Sequence, residues 1–287
     1  MLRFRNRIAL ISLLFLVFIS ISLYYLNLSS SHKGFLFISF LNIGQGDAIF
    51  IQAPNGKQIM VDSGPDKIVL RELGKIMPMF DRTIDAILIT NPDKDHIGGF
   101  IPIMQRYKVD YIIEPGTISK TDTYETVENL AKEKGIQEIY ARRDMNIMLD
   151  ENNKVYLRIL FPDRNVEKLT TNDGSIIMKL VYGKTSVLLE GDAPQNIERY
   201  LLSLNKGELD SDILKIGHHG SRTSTDIDYV KAVSPDYAVI SLGEDNSYGH
   251  PHKETINTLS SLNIPILRTD LDGRISFVSD GVVWKRK

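Results

Sequence analysis

Between Asn91 and His96 the chain reads Asn-Pro-Asp-Lys-Asp-His, which puts two carboxylates and an imidazole within four residues. These are the side-chain types that hold divalent metals. Groups so close in sequence cannot all point one way from a strand or a helix. They can converge from a loop, and Pro92 favours one. The uncharged, β-rich run at 87–89 just before it reads as a buried strand delivering that loop. Gly98 and Gly99 read as a tight turn into a helix over 100–107. Loops at the ends of buried strands are where open α/β folds place their chemistry.

Other stretches carry the same residue types: FLNIGQGDAIFI at 40–51, VDSG at 61–64, LLEGDA at 188–193, LKIGHHGS at 214–221 and YGHPH at 248–252. With TNPDKDHIGG at 90–99 they resemble, in order, the metallo-β-lactamase superfamily, whose signature loop is usually His-x-His-x-Asp-His. Aspartate in the second ligand position is similar to the subgroup containing the nuclease-like domain of ComEC competence proteins. The resemblance runs from about residue 35 to the C-terminus. Five of the six histidines fall inside these motifs, and only His32 lies outside them.

The resemblance implies two metal sites sharing a bridging aspartate. Asp95 and His96 match the end of the signature loop, Asp192 the bridging aspartate, and His219 or His218 the last histidine. That second site is complete, with His219 preferred as ligand and His218 facing the substrate. The first site departs from the pattern: Asn91 stands where histidine is usual, Asp93 is the second ligand, and no histidine occurs near Asn172, where the third would come. Neutral asparagine is a weak zinc ligand. The expectation is one divalent ion in the second site, or two only at high metal concentration, with an oxygen-rich set tilting towards manganese or magnesium over zinc. Asp62 is expected to orient the ligands. Lys215 and Ser221 are candidates to touch a phosphate oxygen. His250 is a candidate general acid or substrate binder and His252 a substrate-loop residue. Asp47 reads as a hairpin-turn residue.

Two halves must position these groups. A β-meander over 35–62 leads into helices and the signature strand, and the pattern restarts after Pro162, where strands at 175–182 and 185–189 flank a Gly183-Lys184 turn. In each half a hairpin strand ends at an aspartate, Asp62 or Asp192, a faint self-similarity. Pattern alone gives an α/β fold with mixed sheets. The resemblance implies an αβ/βα four-layer sandwich, two sheets face to face with helices outside, and the site along one edge.

The first 30 residues hold Arg3, Arg5, Arg7 and no acid, ahead of an uncharged run at 8–26. As a helix that run spans about 28 Å, close to a bilayer core. The positive-inside rule leaves the start in the cytoplasm and the domain outside, in a single-pass arrangement. A signal peptide cleaved near Ser29, Ser30 and Ser31 is the alternative, giving a secreted protein. The division expected is 1–33 for flank, anchor and tether and 34–287 for the hydrolase domain. Formal net charge is −2, so the three arginines leave −5 on the remainder, a weak electrostatic draw for nucleic acid. Absence of cysteine excludes disulfides and thiolate metal sites.

The functional expectation is a membrane-anchored metallohydrolase acting on a phosphodiester. Single- or double-stranded DNA is the substrate the resemblance implies. A cell-envelope diester of phosphocholine or teichoic-acid type is the alternative within the same chemistry. A non-catalytic binding module on the same fold is the rival from another class.

Overall fold

Strands β1 (Leu36–Phe40), β2 (Ile49–Gln52) and β3 (Gln58–Val61) are buried at every position. Full burial means that both faces of the sheet are covered. Alternate residues serve two cores. Leu36, Ile38 and Phe40 enter one cluster with Leu157, Met178 and Val187 of the second half, whereas Phe37 and Phe50 pack with Val69, Leu73, Phe100 and Ile103 of the helices. The period of two in strand side chains therefore builds a core between two sheets and another under a helical layer.

The computed structural model describes residues 2–30 and 34–287. Beyond the meander, the first half contains α2 (Ile68–Ile76), β4 (Thr83–Leu88), the single turn α3 (Lys94–Ile97), α4 (Phe100–Arg106), β5 (Lys108–Glu114), α5 (Asp122–Glu133) and β6 (Gln137–Tyr140). The second contains β7 (Asn146–Asp150), β8 (Val155–Phe161), β9 (Ile177–Tyr182), β10 (Thr185–Glu190), α6 (Gln195–Asn205), β11 (Ile213–Lys215), α7 (Ile227–Val233), β12 (Tyr237–Ile240), α8 (Lys253–Ser261) and β13 (Ile266–Arg268). After the one-turn α9 (Thr269–Asp272), β14 (Ile275–Ser279) and β15 (Trp284–Arg286) rejoin the first sheet.

The sheet orders are β15-β14-β1-β2-β3-β4-β5-β6 and β13-β12-β11-β10-β9-β8-β7. In each, an antiparallel hairpin passes into parallel strands: β2–β3 into β4 and β5, and β9–β10 into β11 and β12. The self-similarity seen in sequence is this shared layout. A third core, including Leu188, Leu214, Tyr229, Val230 and Leu259, seats α6, α7 and α8 on the outer face of the second sheet. The four layers are those of the αβ/βα sandwich. Residues 266–268 and 275–279 fall in different sheets, with Asp272 and Gly273 carrying the chain between them.

At the N-terminus α1 (Leu2–Ser30) contains Asn6–Tyr24, 19 residues long and apolar enough to cross a membrane. A signal sequence meets the same criterion. Ser31, His32 and Lys33 of the expected tether lie outside the described residues.

Candidate metal centre

The parallel strands deliver the site. Asp62 follows β3, residues 91–96 follow β4, Asp192 follows β10, and Gly217–Gly220 follow β11 as a tight 3-10 turn. The carboxyl ends of strands from both sheets thus meet at one edge. His218 and His219 both sit in the left-handed region, with φ of 49° and 54°, at a backbone cost of about 1–2 kcal/mol each. That conformation brings two consecutive imidazoles close to one carboxylate.

Asp192 is the hub. Its Oδ1 lies 3.2 Å from Nε2 of His96 and 3.6 Å from Nε2 of His219, and its Oδ2 lies 3.7 Å from Nε2 of His218. Asp95 approaches from the more open side, its Oδ2 3.3 Å from Nε2 of His219. His96, Asp192 and His219 are buried. His96 Nε2, Asp192 Oδ1 and His219 Nε2 have no hydrogen-bond partner among the described residues. Three buried polar atoms, all of ligand type, facing one another without partners are a poor arrangement for protein alone and a good one for a cation. Ligand atoms of Asp95, His96 and His219 lie within 4.8 Å of one another, as do those of Asp47, Asp192 and His219. The residues therefore fit a divalent metal.

Each imidazole is held from behind. Nδ1 of His96 is 2.9 Å from Oδ2 of Asp62, which also accepts from the Thr90 hydroxyl, while the other Asp62 oxygen accepts from the Thr90 backbone at 2.8 Å. Nδ1 of His219 is 3.1 Å from the Ser241 carbonyl and 3.4 Å from Oδ1 of Asp47. A ring nitrogen bonded to a carboxylate or carbonyl leaves the other nitrogen aimed at the ion. Burial disfavours charge on these rings, but the acids outweigh it: Asp192 and Asp62 raise the pKa of His96, and Asp192 and Asp47 raise that of His219 to about 9. Burial likewise opposes charge on Asp192, yet His96 and His219 hold its carboxyl well below the usual range.

The place of the first site is filled differently. Asn91 is fully buried and its amide is committed: Nδ2 donates to Asn172 Oδ1 at 2.8 Å, and Oδ1 accepts from the Asp93 backbone at 2.9 Å. Asp93 accepts from the Thr171 hydroxyl at 3.0 Å. Asn91 and Asn172 are brought together, but by a hydrogen bond to each other.

Several expectations change on this geometry. Lys215 is fully buried and its ammonium pairs with Asp47, so it does not reach a substrate. A charged group this deep needs its counter-ion, and β11 places it beneath the site. Ser221 is buried too, its hydroxyl accepting from Thr223 inside the turn. His252 does not project freely from its loop: its ring accepts from the Arg222 backbone at 3.0 Å and meets the Arg222 guanidinium at 3.1 Å. His250 packs 5.7 Å from the His218 ring and 4.9 Å from that of His252, with Tyr248 stacked on it. Burial and the neighbouring histidines push its pKa down to about 4, which leaves it neutral near pH 7 and unsuited to general acid work. Gly98 and Gly99 are not left-handed, since both have helical φ and ψ. They are required by close approach, because a Cβ would fall 2.1 Å from the Pro65 carbonyl oxygen at Gly98 and 2.2 Å from that of Ser63 at Gly99. Asp47 is no plain turn residue: it is buried and bridges Lys215 and His219. The available signal was the preceding Gly46, at φ 126°, where a Cβ would strike the Asp95 carbonyl oxygen at 2.1 Å, packing this loop against the signature loop.

The sequence profile of the metallo-beta-lactamase superfamily matches residues 41–244. ComE operon protein 3 of Bacillus subtilis is 27% identical over 257 residues, which cover 84% of this chain and 32% of that protein. Recombination protein 2 of Haemophilus influenzae is 30% identical over 250 residues, covering 85% of this chain and 29% of that protein. The chain thus spans about a third of the length of these curated relatives. Among solved structures, Igni18, described as a metallo hydrolase from Ignicoccus hospitalis, superposes with a TM-score of 0.54 at 15% identity, covering 84% of this chain and 98% of its own. YhfI of Bacillus subtilis gives 0.53 at 13% identity, covering 81% and 95%. At such identities the structures bear on the fold alone. Fold, motif order and sequence profile agree, and the chain belongs to the metallo-beta-lactamase superfamily.

Proposed function

We propose that this chain is a membrane-anchored, outward-facing hydrolase of phosphodiesters, of phosphodiesterase or nuclease type, working with one tightly held divalent ion. The observation that carries this reading is the convergence of His96 Nε2, Asp192 Oδ1 and His219 Nε2, buried and without hydrogen-bond partners, with Asp95 at their open side. A divalent ion bound there supplies a water of lowered pKa and positive charge beside the phosphoryl oxygens.

The chain's own residues orient and neutralise. Asp62 and the Ser241 carbonyl fix the His96 and His219 rings. His218 is a quarter exposed, with Nδ1 3.0 Å from the Thr223 hydroxyl. Because that hydroxyl donates to Ser221, Nδ1 carries the ring proton, and Nε2, 3.7 Å from Oδ2 of Asp192, faces the site as an unprotonated nitrogen. His250, held neutral, offers a second polar contact. The committed amides of Asn91 and Asn172 argue for a single ion, with Asp93 at most a weak contributor. Two carboxylates and two imidazoles accept manganese or zinc, and magnesium less readily.

The names of the relatives, a competence operon protein and a recombination protein, support DNA as substrate. The −5 charge outside the first 30 residues favours a smaller envelope diester instead. The arginines ahead of the apolar helix support a single-pass anchor with residues 34–287 outside.

The test is metal-dependent turnover by the detergent-solubilised full chain on bis-p-nitrophenyl phosphate, single-stranded DNA and a phosphocholine diester. Turnover on any of them, lost in His96→Ala and Asp95→Ala, supports the hydrolase, and the preferred substrate decides between DNA and envelope. A chain that binds metal and cleaves none of them overturns the phosphodiester assignment.

A further inference from the structure

A groove of about 640 Å³ runs between α2 and the outer face of β1 and β14, from Arg274 at the start of β14 to Arg82 and Arg106 at the pole opposite the metal centre. Lys75, Arg82, Arg106 and Arg274 line it, and no aspartate or glutamate side chain does. The nearby buried Glu72 pairs with Lys75 at 2.6 Å and Arg274 at 3.7 Å. Arg82 and Arg106 have no carboxylate partner among the described residues, and Arg82 lies over the Tyr107 ring at 5.8 Å. Two guanidiniums without a carboxylate partner lining one groove, one of them also donating to the Asp81 backbone carbonyl, with the Lys75 ammonium in the same lining, make a site for a phosphate group.

Topology says what that phosphate belongs to. Strand β1 is antiparallel to β2, β2 is antiparallel to β3, and β3, β4 and β5 are mutually parallel. Leu36, where the chain enters the domain, therefore lies at the same pole as Thr83 and Lys108, the starts of β4 and β5. Arg82 directly precedes β4, and Arg106 ends the helix before β5. The metal-centre residues follow the opposite ends of these strands. Only residues 31–35 separate α1 from β1, a reach of about 20 Å at full extension. Phe35 and Phe80, at this same pole, are 46% and 78% exposed. Resting on the reading of α1 as a membrane anchor, the short tether keeps this pole within about 20 Å of the bilayer, with Arg82 and Arg106 on that side and the metal centre at the other end of the strands.

The geometry points to this groove as a binding site for an anionic phospholipid headgroup of the membrane that α1 enters. Occupation fixes the domain upright on the surface and holds the metal centre outward.

The chain contains no cysteine, so Phe80→Cys gives a single attachment point for an environment-sensitive fluorophore. The labelled full chain is mixed with vesicles of phosphatidylcholine alone or with phosphatidylglycerol added, and both flotation and emission are read. The expected result is flotation with both vesicles and a blue shift only with phosphatidylglycerol. The affinity for added phosphatidylglycerol falls about twenty-five-fold in Arg82→Ala with Arg106→Ala, from about fivefold per cation. Arg82→Lys with Arg106→Lys retains most of the shift.

Flotation with both vesicles and the same emission in each overturns the headgroup site while leaving the anchor intact. Flotation with phosphatidylglycerol alone, lost in the double alanine variant, overturns the anchor and keeps the site. A shift produced without vesicles by inorganic phosphate assigns the groove to a soluble anion, and one produced by an oligonucleotide assigns it to nucleic acid. Either overturns the lipid proposal.

Discussion

Nε2 of His96 stands 3.2 Å from Oδ1 of Asp192, and neither atom has a hydrogen-bond partner among the described residues. Both belong to deeply buried side chains that two different sheets bring to one edge. Asp192→Asn keeps the shape and removes the charge. It is expected to lower divalent-metal affinity at least a hundredfold while the fold persists, as measured by metal titration and circular dichroism on the same sample.

Asp62 acts through His96. With Asp62→Asn the ring loses a charged partner at 2.9 Å, and metal affinity is expected to fall about 10–100-fold, with activity restored at high metal concentration. A loss that excess metal does not rescue would mean that Asp62 does more than orient the ring.

Stoichiometry follows from Asn91. Its amide is hydrogen-bonded on both sides, so titration of the metal-free chain is expected to show one tight ion. Asn91→His restores the ligand type usual in the family and is expected to add a second, weaker ion. Two tight ions in the unmodified chain would contradict the reading of this region.

Lys215 and Asp47 form a buried ion pair under the site. Lys215→Met leaves the buried Asp47 with only imidazoles near it, His219 at 3.4 Å and His96 at 3.9 Å, and is expected to cost about 3 kcal/mol, lowering Tm by roughly 10 °C. Adding Asp47→Asn is expected to recover much of that loss. Thermal unfolding of the three variants checks the order.

Glu114 provides a pH test away from the metal. Burial, with Glu138 and Glu128 beside it, pushes its pKa up to about 9. Unfolded, it titrates near 4.5, so between these values the folded chain binds more protons and stability falls as pH rises. Glu114→Gln removes the titration. The variant is expected to match the parent near pH 5 and to exceed its Tm by about 4 °C at pH 8. Equal Tm at both pH values would remove the buried carboxyl as a source of pH dependence.

The signature residues were legible because chemistry and spacing coincide there: Asp95, His96, Asp192 and the 218–219 pair do converge. The hairpin self-similarity was legible because both halves repeat one layout. Less was readable where a residue's role depends on what lies across the edge. Asp47 and Lys215 are 168 positions apart, and nothing local says that a turn aspartate and a strand lysine become each other's buried counter-ions. Gly98 and Gly99 looked like a turn because a close backbone approach leaves the same residue type as a left-handed φ. Ser221 and His252 read as substrate-facing because neither the burial of a hydroxyl in its turn nor a ring's bonds to Arg222, 30 positions away, is set by the local sequence.

The most direct test is the metal content of the purified, metal-stripped full chain after reloading with manganese or zinc, read by mass spectrometry beside His96→Ala and Asp192→Asn. One ion per chain is expected, lost in both variants. A parent chain that binds no ion, or variants that retain it, would contradict the assignment of Asp95, His96, Asp192 and His219 as a metal centre.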